Sequence, residues 1–272
     1  MRQRIITAII FLIVMLLGIF GGSYSFVLLI LFIAIHSFRE LFQLAHYEGR
    51  KDFRQILAIG LGISPILLAF LHKRSILPTA WTFTDWAVGS IPIIFLLFIF
   101  ELYHKSKDPI KSLGTVLLGY VYIGLPYMML VLMAFWQGTY QPLLVIGLLL
   151  LVWLNDTGAY FTGIFLGKHR LAPNISPKKT WEGLVGGVVA TLIVSQILAY
   201  YVRDYSRQEW LIMGILCSFG ILGDLIESLF KRQANVKDSG TLMPGHGGIL
   251  DRFDAFAFVI PAVFVYFYFF LP

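Results

Sequence analysis

The chain has 272 residues, of which 58% are hydrophobic and only 13% charged. A soluble domain carries about 25% charged residues, so an ordinary soluble fold is excluded, and the lack of alternating polar residues excludes a transmembrane barrel. The net charge of +6 would suit nucleic acid, but its placement along the chain follows membrane topology instead, and no nucleic-acid partner is expected.

Nine apolar runs follow one another, at roughly 5–21, 24–38, 55–71, 86–103, 113–135, 142–166, 183–202, 209–230 and 250–270. Runs of about 17–25 apolar residues suffice to cross a hydrocarbon core of about 30 Å. The expected fold is therefore an all-α polytopic integral membrane protein with about nine transmembrane helices. The opening run, "MRQRIITAIIFLIVMLLGIFGG", could mimic a signal peptide. No small-residue cleavage site follows it convincingly and a second run begins at once, so it reads as a retained helix. The second run is short and is expected to need tilt or local thinning of the bilayer. Residues 37–54 have the charge and the Leu/Phe content of a short interfacial helix. Pro92 and Pro126 lie inside runs, where neighbouring helices can satisfy the freed backbone groups.

With a cytoplasmic N-terminus, 17 of the 21 Lys and Arg residues fall on the cytoplasmic side, and Lys73, Arg74, Arg203 and Arg207 fall opposite. That asymmetry sets the orientation. The chain then divides into residues 1–140, holding spans one to five and the segment 37–54, and residues 141–272, holding spans six to nine and the cytoplasmic loops 167–183 and 231–250. The single cysteine, Cys217, can build neither a disulfide framework nor a thiolate metal site and reads as a small core residue.

The chemistry gathers in the second region. Asp156 lies in "WLNDTGAYFTG", Asp224 and Glu227 in "GDLIES", and Asp251 and Asp254 in "DRFDAFAF". Ionisable groups at membrane depth are costly and point to function. Asp224 and Glu227 are three apart and share a helix face, as do Asp251 and Asp254 if a helix begins there. Carboxylates that converge repel one another, and hard oxygen ligands without thiolates or a histidine cluster point to Mg²⁺. The plainer alternatives are that Asp251 and Asp254 cap a helix and that Asp224 and Glu227 make a polar helix–helix contact.

Phosphate chemistry is suggested alongside. "PGHGG", Pro244 to Gly248, lets backbone N–H groups approach an anion. Lys231, Arg232, Lys237 and Arg252 can pair with phosphate oxygens, and "SPKKTWEG" adds Lys178 and Lys179, which could equally be topology determinants. His246, between glycines, reads as structural or as a phosphate donor. These residues define a Mg²⁺-dependent, cytoplasm-facing site for phosphate groups, with no substrate identified.

The stretch "SLFKRQANVKDSGTLMPGHGGILDRFDA", Ser228 to Ala255, resembles the signature of the phosphatidate cytidylyltransferase (CDP-diglyceride synthetase) family. It carries Ser228, Phe230, Lys231-Arg232, Lys237-Asp238, Gly240, Pro244, His246-Gly247-Gly248, Ile249, Asp251-Arg252, Phe253 and Asp254 without departure; the "SPKKTWEG" and "ND" elements are also similar. The resemblance implies conversion of CTP (or dCTP) and phosphatidate to CDP-diacylglycerol and pyrophosphate, in a homodimer in a membrane; the compact length and the absence of a targeting extension favour a bacterial inner (plasma) membrane as the location. It implies metal ligands at Asp224 and Asp251 for Mg²⁺, and leaves open a K⁺ ion beside it. Asp254 and Asp156 stand behind them as further ligands or supporting groups. Lys231, Arg232, Lys237, Arg252, Lys178 and Lys179 would contact phosphates, Gly247 and Gly248 would let the backbone approach them, and Ser228 and His246 would hold the loop or donate to pyrophosphate. Two other classes share part of the pattern: a CTP-dependent lipid-alcohol kinase, and an ion-coupled transporter, which would need a symmetry-related repeat that the chain does not display.

Overall fold

In lipid every backbone N–H and C=O must find its partner within the segment, and the apolar runs accordingly become helices. The computed structural model describes residues 2–51, 53–76, 83–104, 107–245 and 247–271. The helices are α1 (Arg2–Phe20), α2 (Ser23–Leu44), α3 (Phe53–Lys73), α4 (Phe83–His104), α5 (Pro109–Gly119), α6 (Leu125–Ala134), α7 (Pro142–Leu166), α8 (Trp181–Tyr201), α9 (Arg207–Cys217), α10 (Gly220–Gln233) and α11 (Leu250–Phe270). Among the described residues seven segments are long and apolar enough to cross a bilayer, with α5–α6 and α9–α10 each counted as one; two more, Ile5–Phe20 and Ile94–Tyr103, are apolar but shorter. The protein is an all-α integral membrane protein.

Three details differ from the sequence reading. The second run is not short: α2 has 22 residues, about 33 Å at about 1.5 Å per residue, so length imposes no tilt. Among the described residues of 37–54 there is no separate helix, since 37–44 prolong α2 and Glu48–Lys51 is one 3-10 turn. The fifth run is broken by a π-helical turn, Tyr120–Gly124. Pro126 cannot donate and its ring crowds the carbonyl four residues back, so the ladder shifts register there, and Leu125 donates to the Tyr120 carbonyl.

The chain forms two compact units. The first comprises residues 1–140 and 238–250. Its core holds Phe26, Phe38, Phe42 and Tyr127, all fully buried. The ring of Phe38 occupies the space a side chain would need at Gly62 and Gly119, and Gly124 lies against the Gly62 backbone, so small residues let α3 pack closely there. Arg54 and Glu101 form a buried ion pair at 3.1 Å.

The second unit comprises residues 141–237 and 251–272. Along α7 and α8, Gly158 faces Ala190, Gly186 faces Thr162 and Gly187 faces Asn155, so the helices interlock through small residues. Between them the polar loop folds into a hairpin, β1 (Arg170–Ala172) antiparallel to β2 (Ser176–Thr180), with Arg170 opposite Thr180 and a register shift before Ala172. Its base is tied to α8. Thr180 caps that helix by accepting the Gly183 N–H, and Glu182 accepts the N–H groups of Lys168 and His169. A capping box of Ser206 and Glu209 starts α9. Cys217 is fully buried, as its apolar setting suggested.

Candidate active site

The spacing on α10 builds the first half of the site. Asp224, Glu227, Ser228 and Lys231 recur at i, i+3, i+4 and i+7, one helix face. The Ser228 hydroxyl donates to Asp224 Oδ1 at 3.2 Å, and Lys231 Nζ donates to Glu227 Oε2 at 2.7 Å. α11 contributes the second half through Asp251 and Asp254 in its first turn or next to it. What lets these faces meet is Gly223: a side chain there would run into the Asp254 backbone and the Phe258 side chain. Gly220 meets Ala255 one turn earlier. Lys231 Nζ then reaches Asp251 Oδ1 at 2.6 Å, so one ammonium joins carboxylates from both helices. From β2, Lys179 Nζ pairs with Asp224 Oδ2 at 2.7 Å and donates to the Ile221 carbonyl.

The oxygens that converge belong to Asp224, Glu227 and Asp254, all within 4.8 Å of one another. Glu227 is fully buried and Asp254 is 6% exposed. At 4.8 Å, each ionised pair repels by on the order of 3 kcal/mol at an effective dielectric constant of about 20. Lys231 and Lys179 offset part of that. Glu227 Oε1, however, is buried with no hydrogen-bond partner. A buried acceptor left over among three carboxylates, with oxygen as the only donor atom, fits a hard divalent cation.

The cluster forms one wall of a cavity of about 670 Å³. Its lining includes Asp156, Asp224, Glu227, Asp251 and Asp254 together with Arg170, Lys178, Lys179, Lys231 and Arg252. Carboxylates and basic groups are thus equal in number, and the cavity has no formal positive excess to offer a polyanion. A cation at the carboxylates would supply one.

Arg232 and Lys237 are not among the residues lining this cavity. Arg232 is exposed, and its guanidinium bridges the Ile175 carbonyl at the hairpin turn and the Val236 carbonyl. Lys237 is exposed as well. Gly247 and Gly248 belong to the first unit with the rest of residues 238–250. Gly245 and Gly247 hold φ of 78° and 83°, the left-handed region glycine favours, and Met243 bridges Gly247 to close the turn. His246 lies outside the described residues. The resemblance singled out Asp224 and Asp251 for metal; the converging trio holds Asp224 with Glu227 and Asp254, and Asp251 is linked to it through Lys231.

Two groups escaped the sequence reading. Arg170 is hidden in a loop whose hairpin has no local alternation to announce it. Glu40, a lone carboxylate on α2, is 5% exposed; it accepts hydrogen bonds from Ser239 Oγ, Ile249 N and Leu250 N. Its only signal was an acidic residue just past the end of an apolar run.

A model of the cytidylyltransferase family matches residues 2–270. Proteins named phosphatidate cytidylyltransferase are similar over 96% of this chain and 96% of their own length. The protein from Staphylococcus aureus (strain COL) is 36% identical, that from Staphylococcus saprophyticus 37% and that from Staphylococcus haemolyticus 35%.

Proposed function

The chain belongs to the cytidylyltransferase family, and we propose that it transfers the cytidylyl group of CTP to phosphatidate, forming CDP-diacylglycerol and pyrophosphate. The observation that carries this reading is the convergence of Asp224, Glu227 and Asp254 beside Lys231 and Lys179 in one cavity, within a chain whose relatives bear that name along their whole length.

A phosphatidate oxygen forms the new bond to the α-phosphorus of CTP while the bond from that phosphorus to the bridging oxygen of the pyrophosphate breaks in line. The attacking oxygen is already anionic near neutral pH, so no general base is needed, and the lack of a Ser/His/Asp arrangement is no obstacle. The difficulty is bringing two polyanions together, which is solved by positioning and electrostatics. Arg170, Lys178 and Arg252 line the cavity as phosphate contacts. Lys179 and Lys231 hold the carboxylates at 2.6–2.7 Å and present their remaining N–H groups to the substrates. Asp224, Glu227 and Asp254 would hold Mg²⁺, which when bound supplies charge neutralisation for the phosphates. Asp156, on the wall outside that trio, offers a place for a second, monovalent ion.

The positive-side asymmetry supports a cytoplasm-facing site in a bacterial inner membrane, where water-soluble CTP meets a lipid anchored in the leaflet. A homodimer is part of the same reading and is checked by the mass of the detergent-solubilised protein.

The test is to supply purified protein with CTP labelled at the α-phosphate, phosphatidate and Mg²⁺. Label in the lipid phase, lost with Asp224→Asn, is the expected result. Label kept in water as CDP, with a lipid alcohol phosphorylated, would make the protein a CTP-dependent kinase. No nucleotide consumption with any lipid would turn attention to transport.

A further inference from the structure

The glycine-rich loop is held by one carboxylate. Glu40 Oε1 accepts the Ile249 N–H at 2.9 Å, while Oε2 accepts the Leu250 N–H at 2.8 Å and the Ser239 hydroxyl at 2.8 Å. One side chain on α2 therefore grips both ends of the loop, ten residues apart in sequence. Two glycines make room for it. A Cβ at Gly240 would stand 2.5 Å from Glu40 Oε1, and one at Gly248 would collide with Glu40 Oε2 and Ser239 Oγ. Gly240 and Gly248 are thus small because a carboxylate fills the space, a different reason from the left-handed backbone at Gly245 and Gly247.

Leu250 is the first residue of α11, so Glu40 acts as the cap of that helix from a distant part of the chain. The first N–H groups of a helix have no partner inside it, and an acidic group there is favourable. The carboxylate fixes where α11 begins. Asp251 is the next residue along the chain and Asp254 lies one turn on, so the start of the helix sets their register.

We infer that Glu40 is a positioning residue for cytidylyl transfer: by fixing the 239–250 loop and the first turn of α11, it holds Asp251 and Asp254 in the register that the cation and phosphates require. This rests on the function proposed above. Loss of such a supporting group costs about 10–100-fold in activity or metal affinity.

The experiment compares wild type, Glu40→Gln, Glu40→Asp, Ser239→Ala and the Glu40→Gln/Ser239→Ala pair. It measures label transfer across a Mg²⁺ series and backbone hydrogen exchange of the purified proteins without nucleotide. Glu40→Gln turns one acceptor into a donor facing an N–H or a hydroxyl. The expected result is a kcat lower by about tenfold or more, Mg²⁺ half-saturation raised by a similar factor, and faster exchange confined to peptides covering 239–251. Glu40→Asp keeps the charge and recovers part of both. Ser239→Ala loses about threefold or less, and adds nothing in the pair, because both act through one contact. Wild-type kcat and Mg²⁺ dependence in Glu40→Gln would overturn the proposal. So would exchange that rises throughout the molecule with Mg²⁺ half-saturation unchanged, which describes a purely structural residue. If wild type itself transfers no label while the exchange result holds, the function proposed above has failed and the role in this reaction falls with it, although the clamp stands.

Discussion

The two halves of the 224–254 segment, the helix faces and the loop between them, satisfy their polar groups in opposite ways. On α10 and α11 the carboxylates find partners at helical spacing or across one helix contact, and Lys231 serves two of them. From 239 to 250 the loop contains no acidic side chain, and its backbone is gripped by Glu40, some 200 residues away in sequence. The first half is crowded with charge and leaves one buried oxygen, Glu227 Oε1, without a partner. The second has each oxygen of its single carboxylate satisfied by the contacts just described. A region with an unused buried acceptor is prepared to bind something, whereas a region whose acceptor is filled is built to hold still.

That contrast breaks most sharply at Glu227. Glu227→Gln keeps the shape and removes the charge beside the unpartnered oxygen, and label transfer should fall by about 10²–10³-fold, the loss typical of one electrostatic stabiliser. Chelation by EDTA should abolish wild-type transfer, with Mg²⁺ restoring it; full activity in EDTA would remove the cation from the argument.

Next comes Lys231→Met, which leaves Glu227 and Asp251 without their shared ammonium. Removing one partner of a buried pair costs about 3–5 kcal/mol. A lower melting temperature in detergent is expected along with lost activity, and an unchanged one would mean that these carboxylates are not strained by proximity.

Gly248→Ala tests the loop half. The new methyl group displaces the Glu40 carboxylate, and activity should drop about 10–100-fold. Gly247→Ala is the comparison, since its left-handed backbone brings strain of about 1–2 kcal/mol; equal effects from the two would count against a dedicated space for the carboxylate.

The smallest effect is expected from Arg232→Ala. Its guanidinium spans two exposed carbonyls, so the loss should be within about threefold, in line with exposed contacts worth about 1 kcal/mol or less. A hundredfold rise in the KM for CTP would restore Arg232 as a phosphate contact.

Much of the site was legible because its residues sit at helical spacing. Asp224 with Glu227, and Asp251 with Asp254, are each three apart, and a periodicity of 3.6 puts each pair on one face without knowledge of the fold. The order of helices was legible because a bilayer accepts so few backbone conformations. The hairpin at 170–180 was not, since in its second strand, Ser176–Thr180, four polar residues around a proline carry no period. Nor was the length of α2, because Arg39 and Glu40, in the turn before its last, look like the end of a membrane run. The helix runs on through them, with Glu40 buried and hydrogen-bonded to the loop.

The sequence by itself determined the helical membrane architecture, the family signature and which carboxylates could share a face. Each depends on composition or on contacts a few residues apart. Only the tertiary structure decided that Glu227 joins Asp224 and Asp254 while Lys231 ties in Asp251, and that Glu40 caps α11. Those choices turn on how closely two helices approach at Gly223 and on a contact spanning some 200 residues, and no local pattern encodes either distance.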